Sequence, residues 1–345
     1  MKLLDPTPQQ AAAIVQSMHA VVTANGTRAA QPLEIASIEA IQRHMMRIAS
    51  PIAPSAQTLP ADLETVLDTP VLRRQLVRFM AILAMVDRAI LPAKVAVVDA
   101  AASRLGVAEN GLKVLRLASR GKFKGITFEL MKRFVDWWSP SGKARFRDWM
   151  SFLWWMLPML HGEKTKGRNR ELVARYRALG ELPPGTFGRT LIDFYTTYEI
   201  NLPGEPKSVP WAMHEVYHVL SEYGVSLPSE LWLTAFIGGT QEETALDQIL
   251  FGLLSYHCGR QIVLGVISEG VFAPEDYFRA MARGASINVD LVNGWDLFQV
   301  ATVPIAELRA RYNIPPVSPY ERERTAPHDG LLRGAGHSTP VLEPA

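Results

Sequence analysis

The chain has 345 residues, 48% of them hydrophobic and 20% charged, with a formal net charge of +2. That is enough sequence to bury two cores, and the charge balance gives no reason to expect a nucleic-acid partner. The mean hydropathy of +0.04 is slightly apolar for a soluble chain and far from a membrane composition.

The opening residues, Met-Lys-Leu-Leu-Asp-Pro-Thr-Pro, contain no apolar core of the kind a secretory leader needs. A single cysteine, Cys258, excludes an internal disulfide and suits a reducing compartment. Inside its apolar run it reads as a buried, inert thiol. The longest apolar stretch, Gln248 to Ile267, is interrupted by His257 and Arg260 and reads as a buried helix rather than a membrane span. The expected location is cytoplasmic, with peripheral attachment to the inner membrane face as the only membrane role.

Apolar residues recur at helical spacing from Ala11 to Thr23, break at Asn25-Gly26, and resume from Pro32 to Arg47. Residues 50–61 form a Pro- and Ser-rich loop. The pattern returns at Val71–Val86 and Pro92–Leu105, where Gly106 stops it. Each half is a helix, a turn (Asn25-Gly26 or Asp87-Arg88), a proline and a second helix. This internal repeat resembles the TerB (tellurite-resistance) domain, in which acidic turns suit a cation. In this chain Asn25 replaces the acid of the first turn, Glu34 is kept, and Lys94 stands where the second turn would need an acid. Residues 1–120 are therefore expected to form a helical scaffold or interaction module that binds divalent ions poorly.

Residues 121–170 read as connecting helices. Phe128–Trp138 ends in Trp137-Trp138, and Ser139 to Gly142 makes a turn. Lys143–Leu160 then carries Arg145, Arg147, Trp149, Trp154 and Trp155, followed by a basic loop at Lys164, Lys166, Arg168 and Arg170. Indoles beside cations suit the headgroup layer of a membrane. They equally suit a core helix flanked by solvated charges.

The chemistry concentrates in Trp211–Gly224 and the segment after it. His214 and His218 are four apart, so a helix puts both imidazoles on one face, with Glu215 about 100° around from His214. Gly224 is suited to end that helix, and Ser226 with Pro228 to start another that carries Glu230 in its first turn. Two imidazoles and one or two carboxylates converging across a helix-turn-helix describe a divalent metal site, with zinc the expected ion. The candidate ligands are His214, Glu215, His218 and Glu230.

Eleven residues separate His218 from Glu230. This spacing resembles the ubiquinone (coenzyme Q) biosynthesis family known as the fourth Coq protein, marked by His-Asp-x-x-His, eleven residues and Glu. Glu215 replaces the Asp of that pattern, so it is either a ligand or a base beside the ion. The similarity extends upstream to Leu182–Tyr195, where a Pro-rich turn and Gly188 lead into a helix. Downstream it takes in Gly284, Trp295-Asp-Leu-Phe, and the Pro304–Ile314 helix with its Glu-x-Arg. In all it covers about residues 171–316.

The resemblance implies a metal-dependent enzyme that replaces the ring carboxyl of a polyprenylated hydroxybenzoate with a hydroxyl. Such an enzyme works beside membranes, with a prenylated aromatic or isoprenoid lipid and other biosynthetic proteins as partners. Leu231–Ile237 and Ile249–Val266 are expected to wall a channel for the lipid tail, with Gly252, Gly259 and Gly265 leaving room. Two other classes stay open. One is a non-catalytic lipid-binding scaffold in which the metal staples two helices. The other is a metallopeptidase, on the His-Glu-x-x-His pattern alone.

No segment alternates with a strand period, so the expected fold is all-α: the small module at 1–120, the connecting helices at 121–170, and a larger metal domain at 171–316. Residues 317–345, rich in Pro, Gly and charge, read as a disordered tail in which His328 and His337 are too isolated to be ligands.

Overall fold

The computed structural model describes residues 1–133, 146, 150, 170–205, 208, 212–260, 262, 272–291, 295–319 and 321. Among these residues the fold is all-α, with an isolated antiparallel bridge between Thr186 and Pro304. Trp137, Trp138, Trp149, Trp154, Trp155, Arg145, Arg147, Lys164, Lys166, Arg168, Gly265, His328 and His337 lie outside the described residues, as does Trp211.

The helices follow the punctuation of the sequence. Helix α1 (Pro8–Val22) opens with a capping box: Thr7 Oγ1 accepts from Gln10 N, and Gln10 Oε1 accepts from Thr7 N. Helix α2 (Pro32–Ala40) uses Glu34 in the same way, accepting from Gln31 N at 2.7 Å, and runs on as a π-turn to Met45. After the short α3 (Leu63–Val66), the grammar repeats. Thr69 caps α4 (Pro70–Leu83), and Pro92 opens α5 (Pro92–Leu105), which Gly106 ends in the left-handed conformation. Left-handed residues sit at the two hairpin turns, at Asn25 and at Arg88. The expected pair of hairpins is thus present with its proline re-entries, and each first helix also has a Thr-Pro start that the apolar spacing did not mark.

Helices α6 (Gly111–Ser119) and α7 (Phe123–Arg133) follow, and then α8 (Arg170–Ala178), α9 (Phe187–Thr197), α10 (Ala212–Ser221) and α11 (Leu227–Thr240). The last are α12 (Ala245–Gly252), continued by a π-turn to His257, α13 (Pro274–Ala285) and α14 (Ile305–Arg311). Packing divides the chain into two compact units, one of Met1–Leu130 with Glu230–Ile287, the other of Met131–Ser229 with Asn288–Ala345. Neither is a continuous stretch of chain. The breaks expected at 120, 170 and 316 follow composition, whereas the units follow which apolar helices cover one another.

In the first unit α1 packs on α4 and α5, and α2 packs on α13. Helices α11, α12 and α13 meet at glycines. A Cβ on Gly252 would overlap the Thr234 side chain, one on Gly284 would run into the Phe236 carbonyl, and one on Gly239 into Met281 O. Leu231, Trp232, Leu233, Phe236, Ile249 and Leu250 are all buried. Gly252 therefore leaves no room for a lipid tail; its missing side chain is filled by Thr234. Gly259 instead takes a left-handed conformation just after the π-turn.

Between the hairpins lies a buried ionic cluster. Lys94 Nζ bonds Glu34 Oε1 at 2.8 Å and Asp87 Oδ1 at 2.6 Å. Arg28 Nη1 donates to Glu34 Oε1 at 2.8 Å, and its Nη2 lies 3.4 Å from Asp87 Oδ2. Burial pushes the Glu34 carboxyl up, but hydrogen bonds from Lys94, Arg28 and the Gln31 backbone outweigh it and hold the group below its usual range. Burial lifts Asp87 above its usual range, against the pull of Lys94. The ammonium of Lys94 occupies the space between the two carboxylates that a metal ion would need.

In the second unit a Pro183-Pro184-Gly185 turn, with Gly185 left-handed, delivers the chain into α9. Gly188 N donates to Ala301 O at 2.8 Å, an approach close enough that a Cβ would press on Leu182 and Ala301. Trp295 packs edge-on to Phe187 and donates to Tyr312 Oη at 2.8 Å. The start of the expected disordered tail is ordered. Glu321 is fully buried, accepts from Ser318 N at 2.9 Å and receives the Tyr223 hydroxyl at 3.2 Å. Ser318-Pro-Tyr-Glu321 is a capping-box sequence, a local signal that the Pro- and charge-rich composition concealed.

Candidate metal centre

Helix α10 and the first turn of α11 carry the motif. The α10 helix ends at Ser221 through a left-handed Glu222, not at Gly224 as expected. What finishes it comes from α14: Arg309 donates from Nη2 to Val219 O at 2.7 Å and from Nε to Leu220 O at 3.1 Å. Its Nη1 lies 3.3 Å from the Glu222 carboxylate. The guanidinium thus satisfies the last carbonyls of the helix and complements its negative end. This gives the Arg of the Glu-x-Arg pattern a physical task. The next helix starts as expected, with Ser226 Oγ accepting from Ser229 N at 3.4 Å and pairing with Ser229 Oγ at 2.7 Å.

One ligand atom from each of His214, His218 and Glu230 lies within 4.8 Å of the others. His218 and Glu230 are buried, and His214 is partly exposed. A tetrahedral ion with bonds of about 2.0–2.1 Å places its donors roughly 3.3 Å apart, so small side-chain rotations suffice to close this group on an ion. Two imidazoles and a carboxylate also suit zinc chemically. Glu215, the fourth candidate, is buried but stands outside this group, with its Oε2 2.7 Å from His214 Nδ1.

The histidines are held from several sides. Their rings meet edge-on with centroids 4.6 Å apart. Phe194 of α9 stacks on His218 at 5.2 Å and 24°, and His218 Nδ1 lies 3.0 Å from Tyr223 O. Because a carbonyl only accepts, that Nδ1 carries the hydrogen and Nε2 the lone pair. Tyr195 of α9 and Tyr176 of α8 pack edge-on to each other at 6.1 Å. Burial first, and then the negative charge of Glu215, push both phenols upward, so they stay protonated.

Sequence reasoning overlooked Phe194, Tyr176 and Tyr223 as supports of the site. Phe194 and Tyr195 do close the Leu182–Tyr195 segment, and that was the available signal. No protein-family model matches the chain, and no curated protein matches it.

Proposed function

We propose that the protein is a metal-dependent enzyme of ubiquinone-type biosynthesis, replacing the ring carboxyl of a polyprenylated hydroxybenzoate-like substrate with a hydroxyl at a membrane surface. The observation that carries this reading is the His214, His218 and Glu230 donor group on a His-Glu-x-x-His, eleven-residue, Glu spacing. The resemblance over residues 171–316 supplies the reaction, the prenylated lipid partner and the peripheral membrane location. Among the described residues no helix is long and apolar enough to cross a membrane, which is compatible with peripheral attachment.

His214, His218 and Glu230 would hold the ion, with zinc the proposed identity. A bound ion of this kind is a Lewis acid that stabilises charge on a substrate carboxylate or phenolate as the bond to the carboxyl carbon breaks. The exchange releases carbon dioxide and is a two-electron oxidation, so it also consumes an oxidant of the dioxygen class. The chain keeps His218 in one tautomer through Tyr223 O. It also keeps the Tyr176 and Tyr195 phenols neutral, which avoids adding negative charge near Glu215.

The test is metal analysis of the purified protein, mass spectrometry of lipid that co-purifies, and turnover of a prenylated hydroxybenzoate. The expected result is one equivalent of a divalent metal, an isoprenoid lipid, and loss of both metal and turnover in His218→Ala. A full metal equivalent in that variant would remove the site assignment. Metal and lipid without turnover would replace the enzyme by the non-catalytic scaffold.

A further inference from the structure

Resting on the metal reading above, we propose that Glu215 is a positioning residue for His214 rather than a fourth ligand. The centre then has three protein ligands, His214, His218 and Glu230, with one coordination position left for an exogenous molecule.

Adjacent residues on a helix point about 100° apart, so a contact between their side chains takes specific rotamers on both. Here Glu215 Oε2 lies 2.7 Å from His214 Nδ1. An ionised carboxylate only accepts, so Nδ1–H is the donor and the lone pair of His214 sits on Nε2. His218 reaches the same tautomer by a different route, through Tyr223 O at 3.0 Å. In both rings Nε2 is therefore the nitrogen able to bind an ion, and each histidine offers an atom to the group it forms with Glu230. In each case Nδ1 is held by an acceptor, Glu215 or Tyr223 O, that belongs to none of the three grouped residues.

A carboxylate on the far nitrogen of a metal-binding imidazole fixes the ring's orientation and makes it a better donor. Glu215 is buried, which strengthens that hydrogen bond relative to one in water. Its placement also separates two kinds of site. Four protein ligands would close a tetrahedral sphere as in structural centres, whereas three leave the position that catalytic centres use for water or substrate.

The experiment compares zinc affinity, by chelator competition, and the visible absorption of the cobalt(II)-loaded full-length protein. The variants are Glu215→Gln, Glu215→Ala, His218→Ala and Glu230→Ala, with circular dichroism confirming that each is folded. Gln still accepts from His214 Nδ1–H. Glu215→Gln is therefore expected to keep one equivalent and the wild-type cobalt bands, with affinity falling only a few-fold. Glu215→Ala should also keep the bands while affinity falls about 10–100-fold, the usual cost of losing an outer partner. His218→Ala and Glu230→Ala should lose the stoichiometric ion. Adding azide to cobalt-loaded wild type should shift the bands, because a coordination position is available.

Loss of the metal equivalent in Glu215→Gln, or cobalt bands changed as by removal of a ligand, would overturn the proposal while leaving the metal site standing. Insensitivity to azide would overturn the open position. A wild-type protein that takes up neither zinc nor cobalt would overturn the metal reading itself, and this inference with it.

Discussion

Replacing Lys94 by Met tests how the N-terminal repeat is held together. The side chains of Lys94 and Glu34 are completely buried, and that of Asp87 is 9% exposed. With Arg28, the four groups sum to zero charge. At N···O distances of 2.6–2.8 Å, each Lys94 contact is worth about 6 kcal/mol of gross attraction at an effective dielectric of 20. Most of that is offset by the cost of stripping water from the ions. Met fills nearly the same volume but leaves two buried carboxylates facing the single positive charge of Arg28. Breaking a buried pair in this way costs about 3–5 kcal/mol.

The assay is urea unfolding of the full chain followed by circular dichroism. With two compact units, the measure is the earliest transition rather than a single two-state free energy. Restoring neutrality with Asp87→Asn in the Lys94→Met background should recover at least half of the loss, as a double-mutant cycle reads it. The wild-type transition should not move with millimolar calcium or magnesium, because an ammonium already sits between the carboxylates. A Lys94→Met loss below about 1 kcal/mol, or no recovery in the double variant, would refute the reasoning.

Two further outcomes are expected. Arg309→Ala removes the donors to Val219 O and Leu220 O and should cost about 1.5–3 kcal/mol per charge-assisted bond at most, lowering metal affinity as the end of α10 loosens. Unchanged stability by thermal unfolding would show that water serves those carbonyls as well. His257 is held below its ordinary pKa by burial first, with the hydrogen bond to Val86 O opposing it and the charge of Arg88 adding to it. The unfolded chain therefore takes the proton first as pH falls. The stability from neutral His257 is complete above about pH 6.5 and is lost as pH drops from there through the folded value. With a chelator present to remove any bound metal, His257→Gln keeps a donor for Val86 O and should flatten the decline between pH 7 and 5.5; parallel curves would exclude the role.

The helices were legible wherever their punctuation is local. Pro32, Pro92 and Gly106 mark ends that the chain signals within a few residues, whereas apolar spacing alone started the other two helices at Ala11 and Val71 instead of Pro8 and Pro70. The metal donors were legible for the same reason: an i,i+4 pair and one short turn place all of them within 17 positions of sequence, 214 to 230. What stayed hidden depends on residues far apart in the chain. Gly252 looks like spare room until Thr234 is seen to fill it. Glu321 looks like part of a solvated tail until the Tyr223 hydroxyl reaches it. The C-terminus of α10 was misplaced at Gly224 because Arg309, nearly ninety residues away, supplies the donors that a glycine cap would otherwise make unnecessary.

The same physical problem is met twice in this chain, with opposite solutions. Buried carboxylates need a positive partner, since an isolated one would take up a proton instead. In the N-terminal repeat the partners are the chain's own cations: Lys94 and Arg28 neutralise Glu34 and Asp87, and the geometry that would coordinate a metal ion is used up. Around α10 the groups gathered with Glu230 are imidazoles, each with its Nδ1 occupied by an acceptor, Glu215 or Tyr223 O, and Nε2 left with the lone pair. An imidazole in that tautomer offers its Nε2 lone pair to a metal. Such a donor set could hold a divalent cation, whereas Lys94 fills the corresponding space in the N-terminal repeat with a charge of the chain's own.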